Sequence, residues 1–310
     1  MLAAEIYGKI SGTNPAHERM EDTLTSYVLS LFRYLNKLEI LELFLGKAKN
    51  INGNSLAVSK IKSADVFFWP LFNFGGTRYR EPDAFIGLEE ENGRKHAAVI
   101  EAKYDAGLSN VSQHEKPSEE DEVKKISKEE TESLILGHQL ADEYCGLKCG
   151  KWFFREIHSR RDPQIYRTEA ERKWLLYITS HYEFPKRDIE EAIEATGNMK
   201  RCKRASDNCA ANAGKEIYWV GWRDLYAVIE EMELLQIPSE ALMDYTAGER
   251  YLIIDLAEVL RVRGLQTFNP FRELEPVQLF NSIFDDYFLF RNIKPVGLYE
   301  TILEIWRFIE

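Results

Sequence analysis

The sequence predicts an α/β fold, a mixed central sheet flanked by helices, with a mainly helical C-terminal extension. Three observations carry that expectation. Met20, Leu24, Tyr27, Val28, Leu31, Phe32 and Leu35 recur at helical spacing, so the chain opens with a long amphipathic helix. A β-hairpin follows between Ala84 and Lys103, turning at Asn92-Gly93. A helical stretch from Leu134 to Tyr144 then leads to a strand from Trp174 to Ser180, and that strand–helix–strand continuity is the pattern of an α/β core.

Taken in order, the first helix starts at Thr13-Asn14-Pro15, a capping side chain followed by proline at the first helical position. Leu38 to Phe44 continues it or forms a second short helix. Lys47 to Lys62 is polar, and Asn50, Asn52, Gly53 and Asn54 mark a loop. Ala64 to Phe74 is a β-prone aromatic run whose rings read as core, closed by Gly75-Gly76. In the hairpin, Ala84-Phe85-Ile86-Gly87-Leu88 is short and apolar, Asn92-Gly93 supplies the positive-φ pair, and His96 to Lys103 returns. Alternation places Glu101 and Lys103 on one face and Ile100 and Ala102 on the other, while Asp83 starts the first strand directly after Pro82. The hairpin thereby brings an Asp, a Glu and a Lys within reach of one another.

Residues 105–130 are rich in Ser, Glu and Lys and read as a solvated insertion. Further on, Asp188 to Ala195 reads as a helix, Ile217 to Trp222 as a strand, and Leu225, Val228, Met232 and Leu235 as the buried side of another helix. Arg250 to Val262 is a last amphipathic helix, stopped by Gly264 as a left-handed cap. Phe271 to Glu310 is rich in Phe, Tyr and Leu, and either packs back on the domain or offers a partner surface. The natural division is a core over residues 1–182 and an extension over 183–310.

Composition narrows the class. With 310 residues, 45% hydrophobic and 12% aromatic, the chain can bury a sizeable core. No apolar run approaches the ~20 residues that span a bilayer, and MLAAEIYGKISG does not read as a signal peptide, so a cytoplasmic protein without membrane contact is expected. A net charge of −11 argues against a protein that coats nucleic acid but leaves local patches to decide where phosphate docks. Cys145, Cys149, Cys202 and Cys209 are expected as reduced thiols; they lack the tight two-residue spacing of most four-sulfur sites, and zinc is not expected there. There is no Gly-x4-Gly-Lys-Ser/Thr pattern, so any ATP-driven step would come from a partner.

Pro82-Asp83 followed by Glu101-Ala102-Lys103 resembles the PD-(D/E)XK pattern of the restriction-endonuclease-like nucleases, over roughly residues 15 to 182. That resemblance implies an αβββαβ core and metal-dependent hydrolysis of DNA phosphodiester bonds. It makes Asp83 and Glu101 ligands of Mg2+, with Mn2+ able to substitute, and the Ala102 carbonyl a further ligand. Glu21 on the first helix would add an acidic ligand, with Glu18 as the substitute; acidic residues there are also favoured by the helix dipole alone. Lys103 would orient the attacking water and stabilise developing charge, and Gln139 would position the water or the phosphate. Gln139 with Tyr144 resembles a Gln–Tyr pair of the RecB-like branch, one residue more widely spaced. Arg78 and Arg80 either hold a phosphate or are solvated strand ends. Arg201, Lys203 and Arg204 form one DNA-backbone patch, and Lys148, Lys151, Arg155, Arg160 and Arg161 another. A homodimer and an ATPase or helicase-type partner are the expected associations. The C-terminal half looks similar to bacterial members found beside mobile elements and defence genes. The rival reading is a nuclease-fold scaffold or effector subunit, silent alone.

Overall fold

The structure, a computed structural model, describes residues 16–73, 79–104, 138–154, 162–198, 208–232 and 245–267. Helix α1 (Ala16–Leu31) and the short α2 (Glu39–Lys47) lead into a two-residue strand β1 (Lys49–Asn50). Strands β2 (Ile61–Phe68), β3 (Leu71–Asn73), β4 (Tyr79–Arg80), β5 (Ala84–Glu90) and β6 (Lys95–Lys103) follow. Then come α3 (Gln139–Cys149), β7 (Lys151–Phe153), α4 (Gln164–Glu169), β8 (Arg172–Thr179), α5 (Lys186–Asn198), α6 (Cys209–Glu216), β9 (Ile217–Gly221), α7 (Trp222–Glu231) and α8 (Ala247–Val262).

Six strands make a mixed sheet in the order β1-β9-β8-β6-β5-β2, and β4-β3-β7 form a second, smaller sheet. β2, β5 and β6 run as an antiparallel meander, while β8 and β9 lie parallel to β6 and to each other. The hairpin turns as its Asn-Gly pair requires, with Gly93 at φ 86°. The aromatic run is not one strand. It breaks after Phe68 at Trp69 (φ 46°), where Pro70 supplies no ladder donor, and Leu71–Asn73 continues in the smaller sheet.

Both faces of the central sheet are covered. Ile86, Leu88, Ala98, Ile100, Leu176 and Val220 pack against Leu24 and Val28 of α1, against Phe32 just after it, and against α2, α7 and α8. The opposite residues, Phe85, Ala97, Val99, Leu175, Tyr177 and Ile217, pack against Leu140, Tyr144 and Leu147 of α3 and against α4, α5 and α6. A strand buried on both faces needs apolar residues throughout, which is why β6 reads as a near-continuous apolar run.

The chain up to Thr267 forms one compact unit, with residues 268–310 a second. A boundary at residue 182 is therefore replaced: β9 pairs with β8 inside the main sheet, and α7 and α8 line its core. Helix α8 also begins earlier than Arg250. Thr246 and Glu249 form a reciprocal capping box, and the same Glu249 accepts the Asn36 backbone N–H at 2.6 Å. Among the described residues, no helix is long and apolar enough to cross a membrane.

One packing contact gives a direct stability test. The Tyr166 ring packs directly against Gly87 of β5 with its hydroxyl donating to Asp65 at 2.6 Å, and a Cβ on Gly87 would fall 2.2 Å from the ring. Because Tyr166 is wholly buried, it has nowhere to retreat. Gly87→Ala is expected to destabilise the fold by about 1–3 kcal/mol, read as a lowered midpoint in chemical denaturation.

Candidate active site

The sheet places the site at the C-terminal end of β6. The β5–β6 ladder ends at the pair Ala84–Ile100, and Pro82 beyond it has no N–H to offer. Asp83 completes the ladder with its side chain instead: Asp83 Oδ2 accepts the Ala102 backbone N–H at 2.7 Å. On its other side, the Asp83 carbonyl accepts the Trp69 N–H at 3.0 Å. Asp83 is thus pinned from both neighbouring strands, with its carboxylate directed at the end of β6.

Glu101 and Lys103 project from β6 on the face covered by α3, as the alternation requires. Lys103 Nζ lies 2.6 Å from Glu101 Oε1 and 3.1 Å from Glu21 Oε1. Glu21, reaching over from α1, also accepts the Tyr104 backbone N–H at 2.9 Å. From α3, Gln139 Nε2 donates to Glu101 Oε1 at 2.6 Å and to Glu143 Oε1 at 3.1 Å. Glu21, Asp83, Glu101, Lys103 and Gln139 therefore meet in one place although they come from opposite ends of the core sequence.

Glu143 is the residue that sequence reasoning missed. It stands one helical turn after Gln139, so both point at the sheet. It is 1% exposed, and its Oε2 has no hydrogen-bond partner among the described residues. The i, i+4 spacing of two polar side chains beside the apolar Leu140, Tyr144 and Leu147 was the available signal. Tyr144, which with Gln139 resembles the more closely spaced RecB-like pair, lies about 100° further round the helix, packs in the core and bonds the Glu216 carboxylate. The extra residue between Gln139 and Tyr144 is what turned the tyrosine away.

The electrostatics follow from four carboxyls sharing one ammonium. Burial pushes Glu101 well above the carboxylate range, the charges of Glu143 and Asp83 push it further, and Lys103 opposes them. Glu143 is pushed up to about 8 by burial, with the Gln139 amide pulling it back and the Asp83 charge raising it. Glu21 is raised by burial, against the pull of Lys103. Burial pulls Lys103 down, but the charges of Glu101, Asp83 and Glu21 outweigh it and hold the ammonium well above its ordinary pKa. Its carboxylate neighbours thus hold Lys103 as an ammonium. Tyr177, opposite Glu101 on β8, is also raised by burial and then by Asp188, and stays a phenol.

Other expected residues are placed differently. Arg80 is not a solvated strand end: its Nε lies 2.7 Å from Asp142 Oδ2, on the first turn of α3. His138, just before α3, is half-buried with both ring nitrogens shielded from solvent. Lys148, assigned above to a basic patch, is paired with Glu216 at 2.6 Å. Arg78, Arg155, Arg160, Arg161, Arg201, Cys202, Lys203 and Arg204, and the Glu18 side chain, lie outside the described residues.

Among the described residues, no group of three or more His, Cys, Asp or Glu side chains is placed to hold a metal ion. Set against models of protein families, curated proteins and solved structures, the chain matches none.

Proposed function

We propose that the chain is a metal-dependent nuclease that hydrolyses DNA phosphodiester bonds, using a site of the PD-(D/E)XK type. The observation that carries this reading is the convergence at the end of β6: Lys103 bonds Glu101 and Glu21, Gln139 bonds Glu101, and Asp83 accepts the amide of Ala102, the residue between Glu101 and Lys103. The element order adds support. Helix α1, the meander β2-β5-β6, helix α3 and the parallel strand β8 follow the αβββαβ order of a restriction-endonuclease-like core.

The residues fit a hard divalent cation by their chemistry. Mg2+ takes oxygen donors and few protein ligands, and Asp83, Glu101 and Glu143 offer carboxylates at the end of one strand and the facing helix. Their mutual repulsion, with one Glu143 oxygen unpartnered and buried, leaves negative charge that Lys103 alone does not balance. Asp83 and Glu101 would hold the ion, with Glu143 and Glu21 beside it, and Mn2+ would substitute. Held by those residues, such an ion would supply Lewis-acid chemistry, making a water more acidic and offsetting negative charge on a phosphate. Lys103, always protonated, donates to the phosphoryl oxygens as they gain charge, a contact worth about 3–4 kcal/mol where such donors are fixed in a dry site. Gln139 fixes the Glu101 carboxylate through its amide. Glu143 is a carboxyl able to hold or release a proton at Oε2 near neutral pH.

A role in bacterial defence or DNA processing, a homodimer and an ATPase-type partner belong to this proposal through the family resemblance.

The test combines cleavage and metal binding. Supercoiled and linear DNA are expected to be cut with Mg2+ or Mn2+ and left intact with EDTA. Because Glu21, Glu101 and Glu143 have raised pKa values, an ion must compete with protons at low pH. Saturating Mg2+ is therefore expected to raise the melting temperature by several degrees at about pH 8, and by much less at about pH 5.5. No Mg2+-dependent shift at either pH, together with no cleavage, would overturn the proposal.

A further inference from the structure

We propose that Cys149 and Cys209 form a two-electron redox site, a dithiol that hydrogen peroxide closes to an intramolecular disulfide. Their sulfurs lie 3.3 Å apart although 60 positions separate them in sequence. A disulfide needs ~2.05 Å, so closure asks for about an ångström of approach, within the range of side-chain rotation. Cys149 is the last residue of α3 and exposed, whereas Cys209 is the first of α6 and buried. One sulfur therefore meets a small oxidant first, and the second waits behind it.

The backbone is already held for this step. Glu216, at the end of α6, accepts from the Tyr144 hydroxyl and pairs with Lys148, so α3 is tied to α6 on the two turns that precede Cys149. The chemistry balances with peroxide as the only co-reactant. The Cys149 thiolate attacks one peroxide oxygen; an S–O bond forms, the O–O bond breaks, and the leaving hydroxide takes up the thiol proton as water. Cys209 then attacks the Cys149 sulfenic sulfur; the S–S bond forms, the S–O bond breaks, and hydroxide leaves with the Cys209 proton as a second water. Both sulfurs are oxidised and both peroxide oxygens reduced. Nothing in this step uses Glu101, Lys103 or a metal, so it stands or falls separately from nuclease activity.

The full-length reduced protein is treated with stoichiometric hydrogen peroxide, alkylated, digested without reductant and read by mass spectrometry. The expected result is one crosslinked peptide joining Cys149 to Cys209, about 2 Da lighter than the reduced pair, with Cys145 and Cys202 alkylated and dithiothreitol restoring all four thiols. Closing a loop of this length is expected to raise the melting temperature by roughly 5–10 °C. Cys149→Ser, at an exposed position that tolerates change, should abolish the crosslink, while Cys145→Ser should leave it. A crosslink joining other cysteines or two chains, or four alkylated thiols after oxidant, overturns the proposal. So does about one zinc ion per purified chain that shields Cys149 and Cys209 from alkylation until it is chelated.

Discussion

Glu101→Gln is expected to lower Mg2+-dependent DNA cleavage by about a thousandfold or more while making the protein more resistant to heat at neutral pH. The two effects have one cause. Glu101 is buried among Glu143 and Asp83 and its pKa is raised well above the carboxylate range. A carboxyl with a raised folded-state pKa contributes fully to stability below about pH 4.5, and that contribution is lost as pH rises toward the folded value. Near pH 7 the ionised form therefore opposes folding. A neutral amide of the same shape removes the opposition, still faces the Lys103 ammonium with its carbonyl oxygen, and cannot bind a cation as a carboxylate does. Melting curves and cleavage rates of the two proteins under one buffer check both halves. A variant that cuts DNA as fast as the parent would remove Glu101 from the reaction.

Lys103→Met is expected to abolish cleavage equally but to move stability the other way. Lys103 bridges Glu101 at 2.6 Å and Glu21 at 3.1 Å and is itself mostly buried. Removing one partner of a buried ion cluster costs about 3–5 kcal/mol, because the remaining charges are left without a counterion. The penalty depends on those charges being present. Since Glu21, Glu101 and Glu143 are all shifted upward, protonation begins to neutralise them at a higher pH than usual. The loss is therefore expected to be large near pH 8 and to shrink toward about pH 5. Urea unfolding of parent and variant across that range measures it. A loss independent of pH would mean that Lys103 acts by packing its methylenes and not by its charge.

These opposite shifts separate two ways a site can be built. A residue whose removal stabilises is held there against the fold's own preference, as functional residues often are. In the proposed nuclease Lys103 would serve both sides, its charge balancing buried carboxylates and facing the phosphate.

Much of this was legible in the sequence, and the parts that were not share a physical reason. The hairpin was readable because period-two alternation and an Asn-Gly turn are local signals, and those same signals set Glu101 and Lys103 on one face. Glu21 was chosen, with Glu18 as the substitute, through the family resemblance alone, and Glu21 bonds Lys103 and the Tyr104 amide. Glu143 was not legible because a polar pair at i, i+4 marks a solvated helix face as readily as a buried site. The membership of β9 in the central sheet was not readable at all: a strand's neighbours are decided by long-range pairing, which leaves no mark on its own five residues. The break at Trp69 was marked by Pro70, but the surrounding aromatics made the run look continuous.

Asp83 closes the β5–β6 ladder with a carboxylate where a backbone carbonyl would otherwise stand. This makes the Ala102 amide proton a spectroscopic reporter built into the strand. Its hydrogen bond is charge-assisted while Asp83 is ionised, and weakens when that charge is shared with a proton or a cation. In an amide correlation spectrum, the Ala102 resonance should follow the charge on Asp83, residue by residue and without any added label at the site. Its exchange with solvent should meanwhile remain among the slowest in the chain, because β6 has a paired neighbour on each side. A single peak then separates occupancy of the site from unfolding of the sheet that builds it.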